Sequence, residues 1–275
     1  MRTGRAFAAA VLAATLTLAG CGKSSSSTPA PDSASTRASP TAVAIPEPRA
    51  PAAPTSIPPT SIPPTLLGQD IERLPTTRKV VALTFDAGAN ADAVPSILAT
   101  LAREQITATF FLTGNFVTQH PDAARKIAAA GHRIGNHSMT HPAFAGLANA
   151  LIRHEILSAA DSIRTVTGTN PQPLFRFPFG SRDAKAMTEV NSLGYVAVRW
   201  TVDSLGWQGT MNGTRSATFT INRVLAATTP GEIVMMHVGS HPTDHSMLDA
   251  EALPAVIAGL RQRGYAFTTL RTLLV

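Results

Sequence analysis

Cysteine is almost absent: there is one, Cys21, in 275 residues. That excludes a disulfide within one chain, and it leaves no thiolate ligand or cysteine nucleophile for any later part of the chain. Aromatic residues are scarce at 5%, with two Tyr and two Trp, and nowhere do they alternate with basic residues as a platform for single-stranded nucleic acid does. Charged residues reach only 15%, and the formal charge of +6 is scattered with no Lys/Arg-rich block. No nucleic-acid partner is expected; the charge implies mild attraction to anionic wall or membrane surfaces and no more. Hydrophobic residues, at 44%, suffice for a packed core.

Long apolar runs are also missing, except at the start. Arg2 and Arg5 precede "AFAAAVLAATLTLAG", which is too short and wrongly flanked for a membrane span and reads as a secretory signal peptide over residues 1–20. Its end, "LAGC" at residues 18–21, resembles the bacterial lipoprotein box. That resemblance implies a lipid anchor at Cys21 and an extracytoplasmic protein held at the outer face of the cell membrane. Residues 21–74 are rich in Ser, Thr, Pro and Ala and contain a tandem "TSIPP". Such a segment buries too little apolar surface to offset its ordering entropy, and a disordered tether is expected.

From residue 75 onward the texture changes. "VVALTF" (80–85), "TATFFLTG" (107–114), "HRIGNHS" (132–138), "LFRFPFG" (174–180), "YVAVRWTVD" (195–203) and "EIVMMHV" (232–238) read as strands. Between them lie helical patterns such as "AVPSILATLAREQ", "NALIRHEILSAADSIRTVTG" and "ALPAVIAGLRQRG". Strand-then-helix repetition predicts an α/β fold with a parallel sheet closed, or nearly closed, into a barrel over residues 75–275. Chemistry in such barrels collects at the C-terminal ends of the strands. There stand Asp86, His137 with His141, Arg176, Asp203 with Trp207, and His237, each closing an apolar run.

The ordered set "TFDAG", "HSMTH", "RFPFG", "DSLGW" and "MMH" resembles the five motifs of the NodB-homology polysaccharide deacetylases, metal-dependent hydrolases that remove acetyl groups from sugars. The resemblance implies a distorted (β/α) barrel and a divalent metal, commonly zinc, with cobalt and nickel as alternatives. It implies Asp86 as general base, Arg176 as the residue that orients it, His237 as general acid and Asp203 as the carboxylate paired with His237. The backbone N–H of Phe179 would hold the oxyanion, and Trp207 would wall the groove. His137 and His141, at i and i+4, would face one way on a helical turn and grip the metal; on spacing alone two surface or capping histidines are the favoured reading, and the surrounding motifs tip it to the metal. An unshifted Asp is a feeble base, so either burial raises Asp86 or a metal acidifies the water.

The pattern departs from the family at two places. Ala87 stands where most members carry a second, metal-binding acid, and Asn90 is taken as the candidate replacement ligand, with Asp92 either a second candidate or a helix N-cap. Gly206 replaces the second acid of the "DSLGW" motif. A further H-x-x-x-H, His241 and His245, reads as a polar loop. The expected activity is removal of N-acetyl groups from an acetylated polysaccharide, peptidoglycan first. O-deacetylation of another polysaccharide and metal-free carbohydrate binding are the alternatives.

Overall fold

The structure, a computed structural model, describes residues 62–274. The predicted signal peptide, Cys21 and the tether as far as residue 61 lie outside the described residues. Among those described, no helix is long and apolar enough to cross a membrane.

Among the described residues nine strands make one sheet, and every ladder between them is parallel. In chain order they are β1 (Asp70–Ile71), β2 (Val80–Ala87), β3 (Thr109–Leu112), β4 (Arg133–Asn136) and β5 (Leu174–Phe175). The remainder are β6 (Val196–Val198), β7 (Val202–Asp203), β8 (Glu232–His237) and β9 (Ala266–Thr268). The helices are α1 (Val94–Arg103), α2 (Gly114–Gln119), α3 (Pro121–Ala129), α4 (Asn149–Thr167), α5 (Ala184–Ser192), α6 (Ala217–Ala226) and α7 (Leu248–Gln262). Spatial order is β1-β6-β5-β4-β3-β2-β8-β7, with β9 paired to the lower part of β2. The sheet curls but its edges, β1 and β7, do not pair, so the predicted barrel is an open half-barrel.

β2 is the spine. Its sequence is rich in Val, Leu and Phe, and after Val80 every residue to Ala87 is buried. A strand flanked on both edges and covered on both faces has no polar face to present, which is why the alternation typical of half-exposed strands is absent here. On the helical side Phe85 stacks on Phe110 with ring centroids 4.9 Å apart, within a core that α1, α6 and α7 cover.

Two expectations are corrected. "YVAVRWTVD" is not one strand: β6 and β7 lie at opposite ends of the sheet path. The backbone N–H of Arg199 donates to Ile71 O (2.8 Å) and that of Thr201 to Ile233 O (2.9 Å). In three residues the chain thus leaves the β1 side and joins the β8 side, crossing the mouth of the sheet. The tether boundary also moves: residues 62–74 belong to the folded domain. β1 pairs with β6, the N–H of Leu74 donates to Gly231 O (2.8 Å), and Leu66 and Leu74 are buried with Ala82, Val196, Ile233 and Leu270. The composition of that stretch is set by its prolines and polar residues, but two leucines suffice to anchor it.

Leu74→Ala therefore costs about 2–5 kcal/mol of stability, the range for a buried leucine. Urea unfolding measures this; a change within about 0.5 kcal/mol, as for an exposed site, would return the segment to the tether.

Candidate active site

Asp86 and His237 are register partners at the C-terminal ends of neighbouring parallel strands, β2 and β8. Partners in parallel strands point to the same face of the sheet, so the carboxylate and the imidazole project together. They line a cavity of about 470 Å³ with His137, His141, Phe179 and Trp207. The strand-end residues named from the sequence thus share one rim, except Arg176, which does not line the cavity.

Arg176, just after β5, is fully buried with its guanidinium 4.2 Å from the Phe111 ring centroid. Each side-chain nitrogen has an acceptor. Nη1 donates to Asp86 Oδ1 (2.7 Å) and Thr84 Oγ1 (2.9 Å), Nε to Val198 O (3.1 Å) and Nη2 to Arg199 O (2.8 Å). The planar fork locks Oδ1 of Asp86 and leaves Oδ2 facing the histidines, 3.5 Å from His137 Nε2. Burial alone would raise the Asp86 carboxyl, but Arg176, followed by His137 and His237, holds it below the usual carboxylate range. Asp86 is therefore ionised at neutral pH, and of the two alternatives read from the sequence the raised carboxyl is not the one seen, because Arg176 offsets the burial.

His137 and His141 converge, though not on a helical turn. They flank an irregular loop after β4 in which Ser138 and His141 adopt positive φ (69° and 63°). Buried polar groups shape it: Asn136 Oδ1 accepts from Ser138 N (2.9 Å) and Ser138 Oγ from His141 N (3.0 Å). Glu155 of α4 accepts from the N–H groups of Met139 and Thr140 (2.9 and 2.8 Å) and from the Thr140 hydroxyl (2.7 Å). His137 Nδ1 lies 2.8 Å from Arg176 O. A carbonyl only accepts, so Nδ1 carries the proton and Nε2 presents its lone pair. Burial, then His137, push His141 down to about 4, so it too is neutral. The two Nε2 atoms stand 3.1 Å apart at the edge of the cavity. Two neutral imidazoles converging beside open space are a donor set that fits a divalent cation, with water completing the coordination. No three His, Cys, Asp or Glu side chains form a ready ligand cluster among the described residues.

Asn90 is not a third ligand. Its Oδ1 accepts from Ser240 N (2.8 Å) and Asp92 N (3.2 Å), and its Nδ2 donates to Ser240 O (3.0 Å). The carboxamide is consumed in tying the loop after β2 to the loop after β8. Asp92 does not cap α1 either, since the N-cap is Ala93 without a side-chain bond; its carboxylate accepts from the Ser240 hydroxyl. His241 sits 3.2 Å from Asp244 in a polar loop, as expected of a loop.

Asp203 does not pair with His237. Its Oδ1 accepts from Leu205 N (2.8 Å) and its Oδ2 from Trp207 Nε1 (3.2 Å), so it holds the half-exposed indole at the cavity wall. The carboxylate against His237 is Asp249 of α7. Its Oδ2 accepts from the His237 backbone N–H at 2.8 Å and lies 3.4 Å from Nδ1. The sequence signal was an acid in the first turn of a helix, which is commonplace. Phe179 lines the cavity, largely exposed, with its ring against His141 (centroids 4.5 Å apart) and φ of 56°. Positive φ at non-glycine positions 138, 141, 179 and 205 puts backbone strain around this one rim.

The family model for polysaccharide deacetylase matches residues 73–198. A peptidoglycan-N-acetylglucosamine deacetylase of Bacillus cereus is 32% identical over 196 residues, covering 71% of this chain and 68% of that protein. The chain belongs to the polysaccharide deacetylase family. A chitooligosaccharide deacetylase of Bradyrhizobium is 34% identical across 67% of this chain and 86% of its own length. Among solved structures, a Bacillus anthracis protein described as a pseudoenzyme of carbohydrate esterase family 4 superposes with a TM-score of 0.67 at 29% identity, covering 74% of this chain and 68% of that one. Family and half-barrel fold accord with the resemblance read from the motifs.

Removing the guanidinium strands a buried carboxylate. Arg176→Met costs about 3–5 kcal/mol, the range for breaking a buried pair, and Arg176→Met with Asp86→Asn costs less than the sum of the single changes. A double-mutant cycle from denaturant unfolding reads the coupling; strict additivity would mean the two groups do not hold each other.

Proposed function

We propose that the domain hydrolyses N-acetyl groups on a cell-wall polysaccharide, with peptidoglycan the favoured substrate. The observation that carries this is the in-register pair Asp86 and His237, an ionised acceptor and a proton-bearing imidazole facing one cavity that also holds the convergent histidines. Hydrolysis of an amide needs both: a base to take a proton from the attacking water, and an acid to protonate the nitrogen, which leaves badly as an anion.

Asp86, with Oδ1 fixed by Arg176, accepts the water proton at Oδ2. The water oxygen bonds to the acetyl carbon, and collapse of that adduct breaks the carbon–nitrogen bond. His237 donates its proton to the departing nitrogen, giving a free amine and acetate. The N–H of Phe179 is assigned to the developing oxyanion, and Trp207, steadied by Asp203, bounds the space for the acetyl methyl. His137 and His141 are the residues that would hold a divalent cation, zinc foremost, which when bound acidifies water and polarises the carbonyl.

The preference for peptidoglycan rests on the N-terminal pattern. An anchor at Cys21 and a tether of about forty residues would give a surface-held enzyme reach into the wall at several ångströms per residue. Ala87 supports a second reading, a carbohydrate-binding protein without turnover, because the histidine pair lacks the acidic neighbour that the resemblance leads one to expect.

Acetate release from N-acetylglucosamine oligomers and from peptidoglycan separates the two. Turnover that a chelator abolishes and zinc restores is expected, with losses of at least about a hundredfold for Asp86→Asn and His237→Ala. Binding of these sugars without metal-rescued turnover on any of them would establish the binder. His141→Ala should lose the metal by elemental analysis while Asn90→Ala retains it.

A further inference from the structure

Gly206 and Asp249 claim the same space. Gly206 is buried in a short turn after β7, and a Cβ built on it would overlap the Asp249 carboxylate. Leu205, immediately before, takes a left-handed φ of 61°, which carries the glycine backbone in against α7. Asp249 is 3% exposed, so a carboxylate sits in the volume from which a side chain at 206 is missing.

That carboxylate is not fully employed. Oδ2 accepts the backbone N–H of His237, but Oδ1 has no donor among the described residues, and neither has His237 Nδ1 an acceptor. The two orphaned buried atoms belong to groups that already face each other, with Oδ2 and Nδ1 3.4 Å apart. A buried polar atom without a partner is costly, and at 3.4 Å the two groups are already close to the length of an Nδ1–H to carboxylate bond.

We propose that Asp249 is the positioning residue for His237, fixing the proton on Nδ1 so that Nε2 faces the cavity, and that the glycine at 206 is what lets α7 deliver it. This rests on the reading of His237 as the acid in hydrolysis.

Other charges face the same imidazole. Asp86 approaches from β2 and Asp203 from β7, while His137 and His141, from the loop after β4, are neutral and titratable neighbours across the cavity. Asp86 is tied to Arg176, and Asp203 to Leu205 N and Trp207. Burial alone would depress His237, yet Asp249 outweighs it, aided by Asp86 and Asp203, and the imidazole is raised above its ordinary value. A raised value keeps the acid protonated to higher pH, so loss of the Asp249 charge moves the alkaline limb of activity downward.

The test titrates His237 by NMR of labelled imidazole in three proteins: wild type, Asp249→Asn, and the exchange variant Asp249→Ala with Gly206→Asp. Asparagine keeps an oxygen for the His237 backbone N–H, so its fold should persist, and near-ultraviolet circular dichroism checks this. Asp249→Asn should lower the His237 pKa by about one unit, roughly tenfold in proton affinity, and shift the alkaline limb of kcat/KM down equally. The exchange variant should regain most of both. An unchanged His237 titration in folded Asp249→Asn, or an exchange variant that folds without regaining the shift, overturns the proposal. The titration needs no turnover, so a wild type that releases no acetate would sink the deacetylase reading and leave the role of Asp249 to be decided by NMR alone.

Discussion

A guanidinium with no access to water sits inside the curl of this sheet, and the arrangement of the site follows from what it requires. Arg176 needs an acceptor for each nitrogen, and it finds them on Thr84 and Asp86 of β2, Val198 at the end of β6, and Arg199 beyond it. Those acceptors come from strands that are not neighbours in the sheet, so one side chain braces the curl across its interior. Its own backbone carbonyl receives the proton of His137 Nδ1. The same residue thereby sets the ionisation of Asp86 and the tautomer of a candidate metal ligand. The pair is retained at a desolvation penalty that an apolar core would avoid, and its return is geometry: one carboxylate oxygen locked, the other free.

Around this centre the loops are held by polar groups. Glu155 braces the histidine loop from α4, Asn90 with Asp92 joins the loops after β2 and β8, and Asp203 anchors Trp207. Glu155, Asn90 and Asp203 each accept from backbone N–H groups, while Asp92 takes the Ser240 hydroxyl and Asp203 also takes the Trp207 indole N–H; such bonds keep irregular backbone from wandering once it leaves the ladder. Left-handed residues at the same rim mean that this bracing works against local strain.

Much of this was legible before any coordinates. Asp86, His137, Arg176 and His237 each end a run that could only be a buried strand, and parallel strands bring such ends together regardless of detail. What failed to show depended on pairings across distance. Nothing local marks the break at Arg199 to Thr201, because the residues are good strand formers and the break is imposed by two different sheet edges. The seating of residues 62–74 rests on two leucines against a prolonged low-complexity background. Asp249 stands where Asp203 was expected because side-chain reach, not order along the chain, decides which carboxylate meets His237. The histidine spacing suggested a helix, yet a strained loop held by Asn136, Ser138 and Glu155 brings the rings together.

The arrangement is tested most directly by a crystal structure of the zinc-soaked protein recorded at the zinc absorption edge. A single anomalous peak should lie about 2.0–2.1 Å from Nε2 of both His137 and His141, inside the cavity that Asp86 and His237 also line. No peak at that pair under saturating zinc, or a peak at His241 and His245 instead, would contradict it.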